Sequence, residues 1–239
     1  MNPNSDKISI IIPTRKRPNN IERLFNSLIN TADEPNNLEI CLYLDDDDVD
    51  TINYISNKYI NDNRVLYFVG PRIVLSQMWN EAYKLATGNI IMHGGDDLIF
   101  RSKSWDSIVR KAFNNFPDKI LLVYGRDGIK DKELATHSFI HRRWIEVSGF
   151  FLPPYFTSDY NDTWLDNVSQ KVGRRCYLPE VFTEHMHYSV GKAVKDENTI
   201  ERYVRANKQN PKNLYLSLEH ERLEHAYKLN KYIKNFSQS

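Results

Sequence analysis

The segment "IIMHGGDDLIF", residues 90–100, begins as an apolar strand, breaks at His93-Gly94-Gly95 and then places two carboxylates side by side. Repulsion and loss of hydration disfavour the pair of Asp96 and Asp97 unless water, a cation or hydrogen-bond donors compensate them. A solvated turn is the simplest explanation of an Asp-Asp pair. The neighbouring strands must decide whether these carboxylates form a turn or a binding site.

The chain alternates short apolar runs with amphipathic stretches, which predicts an α/β fold with a mostly parallel sheet flanked by helices. The apolar runs that predict the first strands are residues 8–12, 38–44, 64–69, 89–93 and 119–125. Helical spacing of apolar residues predicts helices at residues 19–30, 51–59, 76–87, 104–115 and 162–172. Gly88 and Gly173 follow two of these helices, as glycine commonly does at a helix C-terminus.

The C-terminal half of the chain is less regular. Residues 137–151 combine strand character in "HSFI" with a short helical pattern in "HRRWIEVS". Two short strands are expected at 174–178 and 180–188, followed by a polar helical tail from Thr199 onward. We expect residues 1–195 to form one domain and residues 196–239 to form a helical C-terminal extension packed on it.

The composition argues against several classes of protein. Lys and Arg number 32 and Asp and Glu number 31, so the net charge of +1 creates no strong field toward nucleic acid or an anionic membrane. Cys41 and Cys176 form neither a zinc-spaced set nor a disulfide scaffold. The N-terminal apolar run ends at Pro13, and no apolar segment approaches the roughly 18 residues of a membrane span. We therefore expect a soluble cytoplasmic protein.

Three polar clusters follow predicted strands, at residues 13–15, 45–48 and 96–97. In an open α/β sheet, ligands bind outside the carboxyl ends of the parallel strands. The three clusters should therefore converge in one cleft. This convergence favours a binding site over a solvated turn for Asp96 and Asp97.

Two segments carry the most informative motifs, "ISIIIPTRKRPNNIERLFNSL" and "SQMWNEAYKLATGNIIMHGGDDLIF". Together they resemble the GT-A-fold glycosyltransferases, a Rossmann-like group of nucleotide-diphospho-sugar transferases, and especially glycosyltransferase family 2 with its small phage and bacterial relatives. The second segment keeps the family layout through Asn80, Ala86 and Gly88. Between them, "LDDDDVD" resembles the pattern D-D-G-S-T-D, with Asp45 at its first position. The resemblance covers residues 7–192.

The resemblance implies a site for a nucleotide-sugar donor. In the family, the residue corresponding to Asp45 binds the nucleobase. The donor-binding residues that we expect are Pro13, Thr14, Arg15, Asp45, Asn80, Asp96 and Lys192. Solvation at the surface is an equal alternative for Arg15 and Lys192.

The resemblance also implies a divalent metal ion at the family's DxD motif. Here the motif is G-D-D, with Gly95 at its first position and Asp97 at its last, which is the usual metal ligand in the family. The segment "TEHMHYSVGK" resembles a late histidine-containing segment that completes the metal site, so His185 or His187 is the further ligand. In an extended segment only one of them can face the metal. Oxygen ligands suit Mg²⁺ or Mn²⁺, and an added imidazole favours Mn²⁺.

The segment "NDTWL", residues 161–165, resembles the family's E-D-x-x-L motif, whose aspartate is the general base. That role falls on Asp162, with Asn161 in place of the glutamate. A carboxylate within hydrogen-bond reach of an acceptor hydroxyl can take its proton during attack. The alternative is an acidic residue that only stabilises a helix N-terminus.

The function that follows from the resemblance is metal-dependent transfer of a sugar from a nucleotide-diphosphate donor, a UDP-sugar by default, to an acceptor hydroxyl with inversion. One alternative is a protein of the same fold that binds carbohydrate or nucleotide-sugar without turnover. Another is a nucleotidyltransferase, although the turn "PTRKRP" lacks the glycine-rich phosphate loop expected there. Glycan, protein, lipid and modified nucleic acid remain open as acceptors, and a homo-oligomer remains open.

Overall fold

Four parallel strands form the first half of the sheet in the computed structural model, which describes residues 6–238. They are β1 (Ile8–Thr14), β2 (Leu38–Asp45), β3 (Val65–Gly70) and β4 (Ile90–His93), in the order β3-β2-β1-β4. Residues 1–5 and 239, which the expected domain and its extension include, lie outside the described residues. Every residue of β1, β2 and β4 is buried, as in strands that helices cover on both faces.

The helices between these strands lie where their apolar spacing predicts them. They are α1 (Pro18–Thr31), α2 (Val49–Lys58), α3 (Leu75–Tyr83) and, after β4, α4 (Trp105–Asn114). Only α3 ends earlier than expected, so Gly88 does not close a helix. Instead Gly88 lies against the start of β1, where a Cβ atom would be 2.5 Å from the carbonyl oxygen of Lys7. Glycine is needed there because another chain segment approaches closely.

The second half of the sheet mixes directions. It contains β5 (Leu98–Phe100), β6 (Leu122–Arg126), β7 (Ser138–His141) and β8 (Arg175–His185), which complete the order β4-β7-β6-β8-β5. Strand β7 runs antiparallel to β4 and β6, while β8 runs parallel to β6 and antiparallel to β5. Four of the seven strand pairings are parallel, and the predicted mostly parallel α/β sheet is confirmed.

In this half one local prediction is met and two features differ from what was expected. Residues 137–151 contain both expected elements, because β7 is followed directly by α5 (Arg142–Ser148). The two short strands expected at 174–178 and 180–188 are one strand, β8, whose pairing with β6 shifts register between Gly125 and Arg126. Strand β5 has only three residues and was not predicted.

Two apolar layers pack on opposite faces of the sheet. Trp105 lies in the layer formed with α1 and α4, and Trp144 and Trp164 lie in the other, each with no exposed surface. Trp79 belongs to the second layer and also borders the cleft described below. All four tryptophans are therefore core or cleft-wall residues.

The C-terminal part is helical, as predicted. Helix α6 (Asn161–Val172) precedes β8, and α7 (Glu197–Gln209), α8 (Pro211–Ser217) and α9 (Glu219–Phe236) follow it. The regular pattern over residues 213–236 is divided at Leu218, which joins α8 to α9. Helix α9 packs against α5 and α6. Within residues 6–238, no helix has the length and apolar character needed to cross a membrane.

His225 fixes α9 to the core through both ring nitrogens. Its Nδ1 accepts a hydrogen bond from Nε1 of Trp164 at 3.1 Å, and its Nε2 lies 2.6 Å from Oγ of Ser148. The imidazole is 4% exposed, and burial lowers its pKa to about 4, so it is neutral at pH 7. In that state Nδ1 accepts and Nε2 donates, which satisfies both buried polar groups.

We predict that His225→Ala lowers the free energy of unfolding by about 2–4 kcal/mol, because it leaves a cavity and an unpaired buried indole N–H. Urea unfolding at pH 7 measures the change. The matched control is His220→Ala on the exposed side of the same helix, which should change the value by less than about 0.5 kcal/mol. Equal effects of the two substitutions would contradict this role of His225.

Candidate active site

A cleft of about 440 Å³ lies at the carboxyl ends of β1, β2 and β4. The three polar clusters at residues 13–15, 45–48 and 96–97 each contribute to its wall, through Pro13, Thr14, Arg15, Asp45, Asp96 and Asp97. Their convergence is the one expected from the strand ends. Helix α7 supplies another side of the cleft with residues between Asn198 and Arg205.

Asp96 is buried, and both of its carboxylate oxygens accept hydrogen bonds from β1 or the turn after it. Its Oδ2 accepts a hydrogen bond from Oγ1 of Thr14 at 2.7 Å, and its Oδ1 accepts one from Nη1 of Arg17 at 3.0 Å. Burial raises the pKa of Asp96, and the positive charge of Arg17 opposes that shift. Both oxygens are therefore held within the protein, which leaves Asp97 as the more available carboxylate of the pair.

Asp97 lies against His185, with 3.2 Å between Oδ2 and Nε2. The short strand β5 creates this contact, because Leu98 pairs with His185 across the antiparallel β5–β8 ladder. Burial acts to raise the pKa of Asp97, but the hydrogen bond and charge of His185 outweigh it, and the pKa falls to about 2. Asp97 is thus a carboxylate at neutral pH, and its side chain is 21% exposed toward the cleft.

His187 also borders the cleft but has a different partner. Strand β8 ends at His185, and His187 lies two residues further on, just before a short 3-10 turn, with its Nδ1 2.7 Å from Oγ of Ser189. The two imidazole rings are neighbours, with 4.9 Å between their centroids. Burial lowers the pKa of His187. His185 contacts Asp97 directly, and His187 lies beside that pair.

Asp45 lines the cleft where β2 ends, on the other side of β1 from β4. Its Oδ2 accepts a hydrogen bond from Nη1 of Arg15 at 3.1 Å, while Arg15 also pairs with Asp47. Its Oδ1 is buried and has no hydrogen-bond partner among residues 6–238. Burial raises the pKa of Asp45. Asp45 is only 2% exposed, so its unpaired oxygen is costly unless a ligand donates a hydrogen bond to it.

Asp162 lies in the first turn of α6 and borders the cleft. Its Oδ1 accepts a hydrogen bond from the backbone N–H of Thr163 at 2.7 Å. Burial raises its pKa to about 6, even though that hydrogen bond acts to lower it. A first-turn carboxylate that served only to stabilise the helix would be expected to have a lowered pKa.

Two residues expected in the donor site lie outside the cleft wall. The side-chain amide of Asn80 is used by the backbone of Leu152, accepting from its N–H and donating to its carbonyl oxygen at 3.0 Å each. Lys192 forms an ion pair with Glu184 at 2.7 Å. The family layout around Asn80 is present, but its side chain holds α3 against the chain after α5.

Asp97 and His185 together suit a divalent cation that a bound substrate helps to coordinate. Two ligands in adjacent positions of an octahedral ion at about 2.1 Å are about 3 Å apart, close to the separation of Asp97 and His185. No three His, Cys, Asp or Glu side chains within the described part of the chain are arranged to hold a metal ion by themselves. Mg²⁺ commonly takes only one or two protein ligands and completes its shell with substrate phosphates.

Several cleft residues were not predicted from the sequence. Arg72 follows β3, His137 precedes β7, and Arg202 and Arg205 lie on α7. Both ring nitrogens of His137 are buried without hydrogen-bond partners in residues 6–238, and burial next to His185 lowers its pKa to about 3. None of these residues belongs to a recognisable motif, so only the tertiary fold could reveal them.

Comparison with known proteins agrees with this fold. The model of the family described as Glycosyl transferase family 2 matches residues 9–194. Residues 1–349 of TarS from S. aureus are 18% identical, with a TM-score of 0.56 over 74% of this chain and 60% of that chain. The complex of that fragment with UDP is 17% identical, with a TM-score of 0.58 over 74% of this chain and 59% of that chain. No curated protein matches the sequence.

Another solved structure is similar over nearly the whole chain. It is the mannosyltransferase PcManGT from Pyrobaculum calidifontis in complex with GDP-Man and Mn²⁺, which is 15% identical, with a TM-score of 0.62 over 98% of this chain and 74% of that chain. The curled, mostly parallel sheet with its cleft at the strand ends defines a GT-A fold. The chain belongs to glycosyl transferase family 2.

The raised pKa of Asp162 predicts how stability changes with pH. The folded protein binds this proton more tightly than the unfolded chain, so the contribution is fully present below about pH 3.8 and is lost as the pH rises through 6. Asp162→Asn removes the ionisable group and keeps an oxygen acceptor. We predict that this variant is more stable than the wild type at pH 8, by a margin that shrinks at pH 5, in urea unfolding.

The matched control is Asp159→Asn, which removes a neighbouring carboxylate that pairs with Arg202 at 2.9 Å. This substitution should not stabilise the protein at either pH. If Asp162→Asn gave the same margin at pH 5 and pH 8, burial of an ionised Asp162 would not be the cause.

Proposed function

We propose that the protein transfers a sugar from a nucleotide-diphosphate donor, with a UDP-sugar as the expected donor, to an acceptor hydroxyl with inversion, and that it requires Mn²⁺ or Mg²⁺. The contact between Asp97 and His185, in the same cleft as Asp45 and Asp162, is the observation that supports this function most directly. Residues from four separate chain segments meet there. A single structural ion pair would not need the other two carboxylates beside it.

The donor would bind along the cleft from Asp45 to Asp97. The unpaired Oδ1 of Asp45 can accept a hydrogen bond from a ring N–H of the nucleobase. Asp97 and His185 would hold the metal ion next to the diphosphate, with His187 beside them as the alternative imidazole ligand. When bound, a divalent cation neutralises the negative charge that develops on the departing diphosphate, an effect worth several kcal/mol.

Asp162 would accept the proton of the acceptor hydroxyl. A general base works best when its pKa lies near the operating pH, and the raised pKa of about 6 brings Asp162 closer to that range than an ordinary aspartate. Direct attack by a hydroxyl that Asp162 deprotonates displaces the diphosphate in one step and inverts the anomeric centre. The identity of the acceptor and a homo-oligomeric state stay open, and a cytoplasmic location stays a prediction.

We predict that Asp97→Asn lowers Mn²⁺-dependent release of UDP from a UDP-sugar by at least about a hundredfold, because the site loses a charged ligand. Coupled assay of UDP measures the rate, and Asp50→Asn, which removes an exposed carboxylate on α2, serves as the control. Full activity of Asp97→Asn would rule out its place at the metal. A protein that only binds nucleotide-sugars would release no UDP, and a nucleotidyltransferase would instead form pyrophosphate from UTP and a sugar phosphate.

The same assay distinguishes His185 from His187 as the ligand of the metal ion. His185→Ala should raise the Mn²⁺ concentration for half-maximal activity about tenfold or more, because His185 contacts Asp97. His187→Ala should have the smaller effect. The reverse order would assign the ligand to His187.

The pH dependence of kcat/KM tests Asp162. Activity requires the carboxylate, so the rate should fall tenfold per pH unit below about pH 6 and reach a plateau above it. Asp162→Asn should lose about 10²–10⁴-fold in rate across the range. Asp159→Asn should keep both the fall in rate below about pH 6 and most of the rate above it. If the residual activity of Asp162→Asn still fell below about pH 6, the fall in rate would belong to another ionisable group.

A further inference from the structure

Helix α7 lies beyond the region that the family model matches, yet it brings two arginines to the cleft. Five arginines border the cleft, and four of them form ion pairs with carboxylates: Arg15 with Asp45 and Asp47, Arg17 with Asp96 and Asp196, Arg72 with Glu201, and Arg202 with Asp159. The fifth, Arg205, forms no ion pair or side-chain hydrogen bond with residues 6–238.

Arg205 is placed where its charge is costly. Its Nε is buried without a hydrogen-bond partner, and the side chain is only partly exposed, toward the cleft. Burial lowers its pKa, and the positive charges of Arg72 and Arg15 lower it further. A guanidinium that is half-buried beside two others is unfavourable unless an anion compensates it.

The position of Arg205 is fixed by the contacts of α7 on both sides of it. At the start of the helix, Nδ2 of Asn198 donates to the carbonyl oxygen of Arg15 at 2.7 Å. At its end, the side chain of Gln209 accepts from the backbone N–H of Thr157 and donates to the carbonyl oxygen of Tyr155, at 2.8 Å each. Arg205 is therefore held over the cleft by the fold and not by a partner of its own.

The charge of Asp45 acts to raise the pKa of Arg205, but no hydrogen bond joins the two side chains. Each keeps a buried polar atom without a partner, Oδ1 in Asp45 and Nε in Arg205. A ligand that satisfies both must offer a hydrogen-bond donor to Asp45 and an anionic oxygen to Arg205. A nucleotide has both, in its base and in its phosphates.

We propose that Arg205 binds a phosphate oxygen of the donor nucleotide, so that the C-terminal helix α7 is part of the donor site. This inference rests on the proposed use of a nucleotide-diphosphate donor. A guanidinium forms short, charge-assisted hydrogen bonds to phosphate, often in pairs. Lysine at the same position would supply the charge without the paired geometry.

Isothermal titration of UDP in the presence of Mn²⁺ tests the proposal with the wild type, Arg205→Met and Arg205→Lys. Arg205→Met should weaken UDP binding by about tenfold or more, and Arg205→Lys should fall between the two. The matched control is Lys208→Met, which removes an exposed charge from the same helix and should leave affinity within about twofold. The ligand-free Arg205→Met variant should melt at the same temperature or higher, because it loses an uncompensated charge.

A thermal-shift comparison of UMP with uridine shows whether Arg205 contacts the phosphate or the base. Arg205→Met should weaken UMP and leave uridine unchanged; an equal loss with uridine would place the contact on the base and overturn the proposal. Wild-type affinity for UDP in Arg205→Met would also overturn it and leave the proposed function standing. If the wild-type protein bound neither UDP nor GDP in the presence of Mn²⁺, both the role of Arg205 and the proposed function would be wrong.

Discussion

Two adjacent carboxylates at one strand end repel each other, so each needs a compensating partner of its own, and the site is built around that constraint. Asp96 accepts hydrogen bonds from Thr14 and Arg17 on the N-terminal side, and Asp97 contacts His185 on the C-terminal side. Because the two partners come from opposite ends of the chain, the Asp-Asp pair holds β1, β4 and β8 in a fixed relation. A solvated turn would not require any of these long-range contacts.

Arg17 extends the same electrostatic arrangement to the C-terminal helices. It donates to Asp96 at the sheet and to both oxygens of Asp196, which begins α7. Removing one partner of such a partly buried group leaves the others uncompensated, which is more costly than losing an exposed pair. The turn after β1 is therefore the point where α7 and the carboxylates of the cleft depend on one another.

The sequence predicted those parts of the site that local patterns determine. Apolar runs defined the strands, and polar residues at their ends were enough to place Thr14, Asp45 and Asp97 in one cleft, since parallel strands end at the same edge. Strand β5 has too few residues to show a period, although its pairing brings His185 to Asp97. Which of His185 and His187 contacts Asp97 depends on the pairing of β5 with β8, which no local pattern marks.

Other parts depend on packing that sequence patterns do not encode. The motif around Asn80 is present, but Leu152 uses its amide because α3 lies against the chain that follows α5. Helix α7 is polar on most of its surface, so its spacing predicts a helix without indicating which side faces a cleft. Arg205 could not be recognised in the sequence, because what distinguishes it is the lack of a hydrogen-bond or ion-pair partner among residues 6–238 of the folded chain.

The unpaired polar atoms of the cleft would favour the binding of a ligand that supplies hydrogen-bond partners to them. Buried polar groups without partners cost about 1–3 kcal/mol each, so a fold tolerates few of them. Several of those found among residues 6–238 border this cleft, in Asp45, His137, Ser158, Asn161 and Arg205. A ligand that supplies hydrogen-bond partners recovers that free energy on binding, without further ordering of the chain. The core elsewhere, through pairs such as His225 with Trp164, provides the stability that this arrangement requires.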